Sequence, residues 1–158
     1  MKKNIIAISR EFGSGGRTIG RLVAQKLGIQ FYDRDIIKKV VEESGLTRKY
    51  VEHYGEFAPS ADQRFANSFV GLDEDSNSPL VQLWKTREKV IKDFATAKPC
   101  VIVGSCADYI LRDREDCLKV FLYADEETKE NRIQEIYGEA GLKLKNRVKD
   151  MDVRRGLN

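Results

Sequence analysis

The segment that most constrains this chain is Ser9-Arg10-Glu11-Phe12-Gly13-Ser14-Gly15-Gly16-Arg17-Thr18, because of what stands on either side of it. Before it, Ile5-Ile6-Ala7-Ile8 is a continuous apolar run, the pattern of a strand covered on both faces of a parallel sheet. It is expected to be the central strand. After it, Ile19, Leu22, Val23 and Leu27 recur at helical spacing and Gly28 follows as a stop, so the turn feeds a helix. Strand, glycine turn and helix in this order bring several backbone N–H groups and a helix N-terminus to one place. Gly13, Ser14, Gly15 and Gly16 leave that place open to close approach, which is what the oxygens of a phosphate require.

The rest of the chain repeats the alternation. Ile29 to Tyr32 reads as a second strand, and Asp33 or Asp35 then caps a helix with the apolar stripe Ile36, Ile37, Val40 and Val41, closed by Gly45. Thr47 opens a short helical segment to about Tyr54, and between Gly55 and Pro79 the pattern dissolves into polar and turn residues, a length that suggests a ligand-closing segment. Ser78 and Pro79 read as N-cap and first residue of a helix lined by Leu80, Leu83, Trp84, Val90, Ile91 and Phe94. Cys100 to Val103 is a third buried strand, Ala107 to Leu111 a short helix and Leu118 to Tyr123 a fourth strand. Asp125 caps a helix with Ile133 and Ile136 inward, ending near Gly138, and the tail from Gly141 to Arg155 is helical and cationic. Strands alternating with helices predict a three-layer α/β fold, a parallel sheet with helices on both faces.

Composition excludes several classes. A length of 158 residues, with 41% hydrophobic and 34% charged, fits one globular domain. A formal net charge of +3 is too small to argue for a nucleic-acid or membrane surface, so no nucleic-acid partner is expected and any anion site is local. The N-terminal apolar run is too short for a signal-peptide core or a membrane span, and the reading is a cytoplasmic protein with no membrane partner. Cys100, Cys106 and Cys117 suggest neither a metal knuckle nor a disulfide framework and are expected to be buried free thiols. His53 is the only histidine, so histidine-based zinc or hydrolytic centres are excluded except through it.

The usual phosphate-binding loop reads GxxxxGK[ST], its lysine neutralising the terminal phosphates. No lysine stands in this loop. In one register Gly16-Arg17-Thr18 takes the place of Gly-Lys-Thr with Glu11 at the first glycine position; in the other Gly15-Gly16-Arg17 does, with Arg10 at that position. Only the first makes Arg17 the cation. A dinucleotide fold is the rival, since Gly13 and Gly15 begin a GxGxxG run and Asp33 lies at a ribose-holding distance, but Thr18 occupies the third glycine position.

The strings Ile8-Ser9-Arg10-Glu11-Phe12-Gly13-Ser14-Gly15-Gly16-Arg17, Phe31-Tyr32-Asp33, Val101-Ile102-Val103-Gly104 and Cys106-Ala107-Asp108 resemble the cytidylate kinase-like family over essentially the whole chain. The resemblance implies a P-loop NTPase fold and transfer of a phosphoryl group from ATP, with Mg, to a nucleoside monophosphate such as CMP or a related phosphorylated acceptor. It implies that Gly13, Ser14, Gly15, Gly16, Arg17 and Thr18 hold the donor, Thr18 also meeting the metal, and that Asp33, Lys39 and Ser105 face the acceptor. Arg17, Arg132, Arg154 and Arg155 are then the cations of the transfer. Residues 34–98 become a helical acceptor-binding insertion and 138–158 a lid-like basic segment. Val103, Gly104 and Ser105 stand where cytidylate kinases carry aspartate, glycine and arginine, and the chain stops before the family's final edge strand. Two expectations follow: a nucleotide-binding protein without turnover as the alternative function, and a homodimer or other self-association through the edge at 118–123.

Overall fold

A computed structural model describes residues 4–54, 78–138 and 142–156, excepting the side chains of residues 137, 142 and 154–156. The strands are β1 (Ile5–Arg10), β2 (Gln30–Tyr32), β3 (Cys100–Val103) and β4 (Cys117–Leu122), and all pair in parallel in the order β2-β3-β1-β4. The helices are α1 (Gly16–Leu27), α2 (Arg34–Ser44), α3 (Arg48–Tyr54), α4 (Pro79–Ala97), α5 (Ala107–Ile110), α6 (Glu126–Tyr137) and α7 (Leu142–Gly156).

Two apolar clusters, one on each sheet face, make the three layers. On one face Ile5, Ala7, Cys100 and Ile102 pack with Ile36 and Val40 of α2, Val51 of α3, Leu83, Val90 and Ile91 of α4 and Ala107 and Ile110 of α5. On the other, Ile8, Val101 and Val103 pack with Ala24 and Val23 of α1. β1 is the inner strand predicted from its unbroken apolar run: Ile5, Ala7 and Ile8 are buried. The third strand is buried at all four residues.

α1 does not present the face its apolar spacing suggests. Ile19, Leu22 and Leu27 are exposed, and the buried positions are Gly16, Gly20 and Ala24. The helix lies too close to the sheet for large side chains: a Cβ on Gly20 would sit 2.7 Å from a Val103 methyl carbon. Other departures are smaller. The fourth strand is Cys117–Leu122, one residue earlier than predicted. Asp33 occupies the N-cap position of α2 and Ser78 that of α4 without a side-chain cap bond, whereas Asp125 caps α6 by accepting from Thr128 N. Ile133 is buried but Ile136 is 61% exposed. The three cysteines are buried and free, and burial pushes the Cys100 thiol up to about 11. The polar stretch from Gly55 and most of its length lies outside the described residues.

Among the described residues β4 pairs only with β1 and so forms a sheet edge, along which Leu118 and Phe121 are exposed. β1 and β3 are neighbours whose following connections run to opposite edges, β1 through α1 to β2 and β3 through α5 to β4. In open α/β sheets the crevice outside the carboxyl ends of two such strands is where ligands bind. No helix among the described residues is long and apolar enough to cross a membrane.

Candidate functional site

The glycine turn leaves β1 at that crevice. Gly13 and Gly15 have φ of 84° and 87°, a region that costs other residues steric strain. α6 also packs directly on the turn, since a Cβ at Gly13 would lie 2.8 Å from Ile133 Cδ1 and 3.0 Å from the Lys129 carbonyl oxygen. Ser14 is buried and its hydroxyl donates to the Glu11 carbonyl oxygen at 3.0 Å, closing the turn. Gly15 is the N-cap of α1, with no side chain capping the helix, so first-turn N–H groups face the cavity as a positive helix end. The cavity measures about 170 Å³ and is lined by the turn together with Arg10, Arg17, Thr18, Arg132 and Ile136. That volume suits phosphate groups, and falls short of the roughly 300 Å³ at which sites for whole small molecules begin.

The cations predicted from the sequence are placed differently from one another. Arg132 on α6 reaches the turn, where its Nη1 donates to the Gly13 carbonyl oxygen at 2.9 Å. Arg17 lines the cavity, but its Nε lies 2.5 Å from Asp33 Oδ2 and its Nη2 3.4 Å from Oδ1. This pair explains why Asp33 makes no cap bond, and it joins two residues expected to serve donor and acceptor separately. Lys39 is exposed, pairs with Glu43 at 3.4 Å and Glu42 at 3.9 Å, and is not among the residues lining the cavity. Thr18 is exposed at the cavity wall. Ser105 is buried in the turn after β3, where Gly104, Ser105 and Cys106 have φ of 74°, 55° and 57°. Two successive non-glycine residues in that region cost about 1–3 kcal/mol each and are characteristic of functional turns. The side chains of Arg154 and Arg155 lie outside the described residues.

Two charged residues that sequence reasoning passed over are buried. Lys129 is 7% exposed, with Nζ 3.0 Å from Glu11 Oε2 and 2.8 Å from Asp152 Oδ2. Asp152 Oδ1 also accepts from Phe12 N at 2.6 Å and Glu11 Oε2 from Ala124 N at 3.3 Å. The network thus ties the start of the turn to α6 and α7. Burial works against the Lys129 ammonium, but hydrogen bonds to Asp152 and Glu11 outweigh it and raise its pKa above the lysine value. Its pairing therefore stabilises the fold fully below the unfolded lysine pKa of about 10.4, and is lost as pH rises through the raised value. The sequence signal was a lysine four residues before Ile133 on the inward face of the helix. Arg87 shows the same signal, standing between Leu83 and Val90 in the buried stripe of α4. It is 2% exposed, with its guanidinium 4.5 Å over the Trp84 ring.

A parallel α/β sheet with a glycine turn and clustered arginines at its carboxyl edge defines a P-loop-like, kinase-type fold. The chain belongs to the cytidylate kinase-like family, whose model matches residues 5–156. Among solved structures it is similar to an uncharacterized protein from Eubacterium ventriosum ATCC 27560, with TM-score 0.64 and 26% identity over 96% of this chain and 72% of that one. No curated protein matches the sequence.

Lys129→Met leaves Glu11 and Asp152 facing each other without their shared cation. Removing one partner of a buried pair costs about 3–5 kcal/mol, and urea unfolding at pH 7 is expected to show a loss of that order. The parent draws this stability from the paired Lys129 ammonium, so the gap from the variant should narrow as pH rises above about 10.4 and through the raised Lys129 value. A gap independent of pH would contradict the network.

Proposed function

We propose that this protein transfers the terminal phosphoryl group of ATP to a nucleoside monophosphate of the CMP type, or to a related small phosphorylated acceptor. The observation that supports it is the glycine-turn cavity ringed by Arg10, Arg17 and Arg132 in a chain of the cytidylate kinase-like family. In this reading the turn amides and the α1 N-terminus hold the donor phosphates. The bond from the terminal phosphorus to its bridging oxygen breaks, a bond to an acceptor phosphate oxygen forms, and ADP leaves. Charge spread over the transferred group is met by arginines, which need only position and neutralise. Arg132 approaches from α6, and Arg154 and Arg155 are carried on α7, the lid-like segment.

On the acceptor side, residues 34–98 form the binding insertion. In this reading Asp33 and Ser105 border it at the strand ends, while Lys39 reaches an acceptor only by leaving Glu43. No cluster of three or more potential metal-ligating side chains occurs among the described residues. Mg fits this site as an ion carried on the nucleotide phosphates, with the Thr18 hydroxyl as the protein oxygen beside it.

A second reading, nucleotide binding without turnover, is favoured by the Arg17–Asp33 pair, which occupies the cation that one register assigns to the donor. The family found is kinase-like, and nothing in the site supports the dinucleotide alternative. Thermal denaturation with ATP and Mg should show stabilisation of about 2.7 kcal/mol at a hundredfold excess over the dissociation constant, and a coupled assay should show ADP formed with CMP or another monophosphate. Stabilisation without ADP formation selects the second reading; neither effect contradicts both.

We also infer self-association through β4, whose edge is unpaired among the described residues and, with exposed Leu118 and Phe121, offers a template for another strand. Light scattering at micromolar concentration is expected to give at least a dimer mass, and a monomer mass alone would remove the inference.

A further inference from the structure

We propose that Asp33 is a positioning residue for the donor: it grips one edge of the Arg17 guanidinium and leaves the tip of that cation to phosphate oxygens at the glycine turn. This rests on the donor-phosphate site, which phosphoryl transfer and binding without turnover share. Asp33 then serves the donor cation, and not the acceptor that the family resemblance assigns to it.

Arg17 Nε lies 2.5 Å from Asp33 Oδ2 and Nη2 3.4 Å from Oδ1, so the carboxylate engages the side edge formed by these two nitrogens. Nη1 makes no hydrogen bond among the described residues. A guanidinium carries its five N–H donors in one plane and in fixed directions. A carboxylate on the side edge therefore sets the plane in which the tip, Nη1 with the second Nη2 hydrogen, meets an anion. The Asp33 side chain is 9% exposed and that of Arg17 41%. Asp33 is the anchored member, and Arg17 lines the cavity with Gly13, Gly15, Gly16 and Thr18.

Both residues depart from a local preference to make this contact. Arg17 stands in the first turn of α1, which holds no acidic residue, and a cation there opposes the positive end of the helix. Asp33 stands at the N-cap position of α2 without a side-chain cap bond, although aspartate favours that use. Paired departures of this kind are expected at functional sites. Burial also argues against a phosphate that simply displaces Asp33. Arg17 drawn wholly to the anion would leave a buried carboxylate with no partner among the described residues, a costly state. A phosphate at the tip leaves the pair intact. Lysine, a point charge on a flexible stem, cannot present two separate edges, which gives a reason for arginine at this place in the loop.

The test uses inorganic tripolyphosphate with Mg as the probe, by isothermal calorimetry on the full chain, beside the coupled assay. Asp33→Asn keeps the size of the side chain and removes its charge, and should bind tripolyphosphate about fivefold more weakly than the parent, within the range of contact couplings. Arg17→Gln should lose more. The double variant should lose no more than Arg17→Gln alone, because Asp33 acts through Arg17. Arg17→Lys should fall between the parent and Arg17→Gln, and reads the same proposal if Asp33→Asn fails to fold; parental affinity in Arg17→Lys would overturn it. Equal or tighter binding in Asp33→Asn would overturn the role of Asp33, tighter binding showing that phosphate and Asp33 compete for Arg17. Losses that add in the double variant would overturn it too, as would a parent that does not bind tripolyphosphate. A raised KM for the monophosphate in Asp33→Asn, with tripolyphosphate affinity unchanged, would return Asp33 to the acceptor and leave the transfer reading standing. Coupled losses in the variants of a parent that forms no ADP support Asp33 and remove the transfer reading instead.

Discussion

Lys129 is the interaction on which the site depends. A buried ammonium is tolerated only when its desolvation is repaid by close partners, and here the partners come from two other parts of the chain. Glu11 belongs to the connection leaving β1 and Asp152 to α7. The same Asp152 takes the Phe12 N–H, so the backbone entering the glycine turn is held by the carboxylate that pairs with Lys129. Beneath this polar knot Phe12, Ile133, Leu144 and Val148 form a separate small core. Charge pairing and apolar packing together fix α6 and α7 against the turn, and Arg132 is delivered to Gly13 as a result.

From that fixed turn the remainder of the site is assembled at the sheet's carboxyl edge. β1 supplies Arg10, the turn supplies amides, α1 supplies its N-terminus and Arg17, and β3 supplies the positive-φ turn at Gly104, Ser105 and Cys106. None of these parts is adjacent in sequence to all the others. Parallel pairing of Ile8 with Val103 brings the two turns side by side, and Gly104 N donates to Ile8 O at 2.9 Å. The Arg17–Asp33 pair then links the start of α1 to the end of β2.

Much of the frame was legible in the sequence because it rests on local rules. Unbroken apolar runs marked β1 and β3, glycines marked the ends of α1, α2 and α6, and Asp125 stood where a cap was needed. What could not be read is tertiary. The exposed stripe of α1 obeys helical spacing, yet the distance to the sheet admits only Gly16, Gly20 and Ala24. Ile136 fits the inward pattern of α6 but borders the cavity, and periodicity does not separate a core neighbour from a cavity wall. Lys129 and Arg87 stand in apolar stripes where a buried charge requires partners from elsewhere in the chain, so their positions were visible and their roles were not. One register of the loop makes Arg17 a donor cation, and its pairing with Asp33, sixteen residues further along the chain, is a contact that sequence spacing does not show.

The central claim is that the turn from Gly13 to Thr18 is an anion site built mainly from backbone N–H groups. Nitrogen-15 NMR of the labelled protein during titration with ATP and Mg addresses it most directly. The account predicts that the amides of Gly13, Gly15, Gly16, Arg17 and Thr18 shift first and furthest, saturating together. Shifts confined to other surfaces, with these five amides unmoved at saturation, would contradict it.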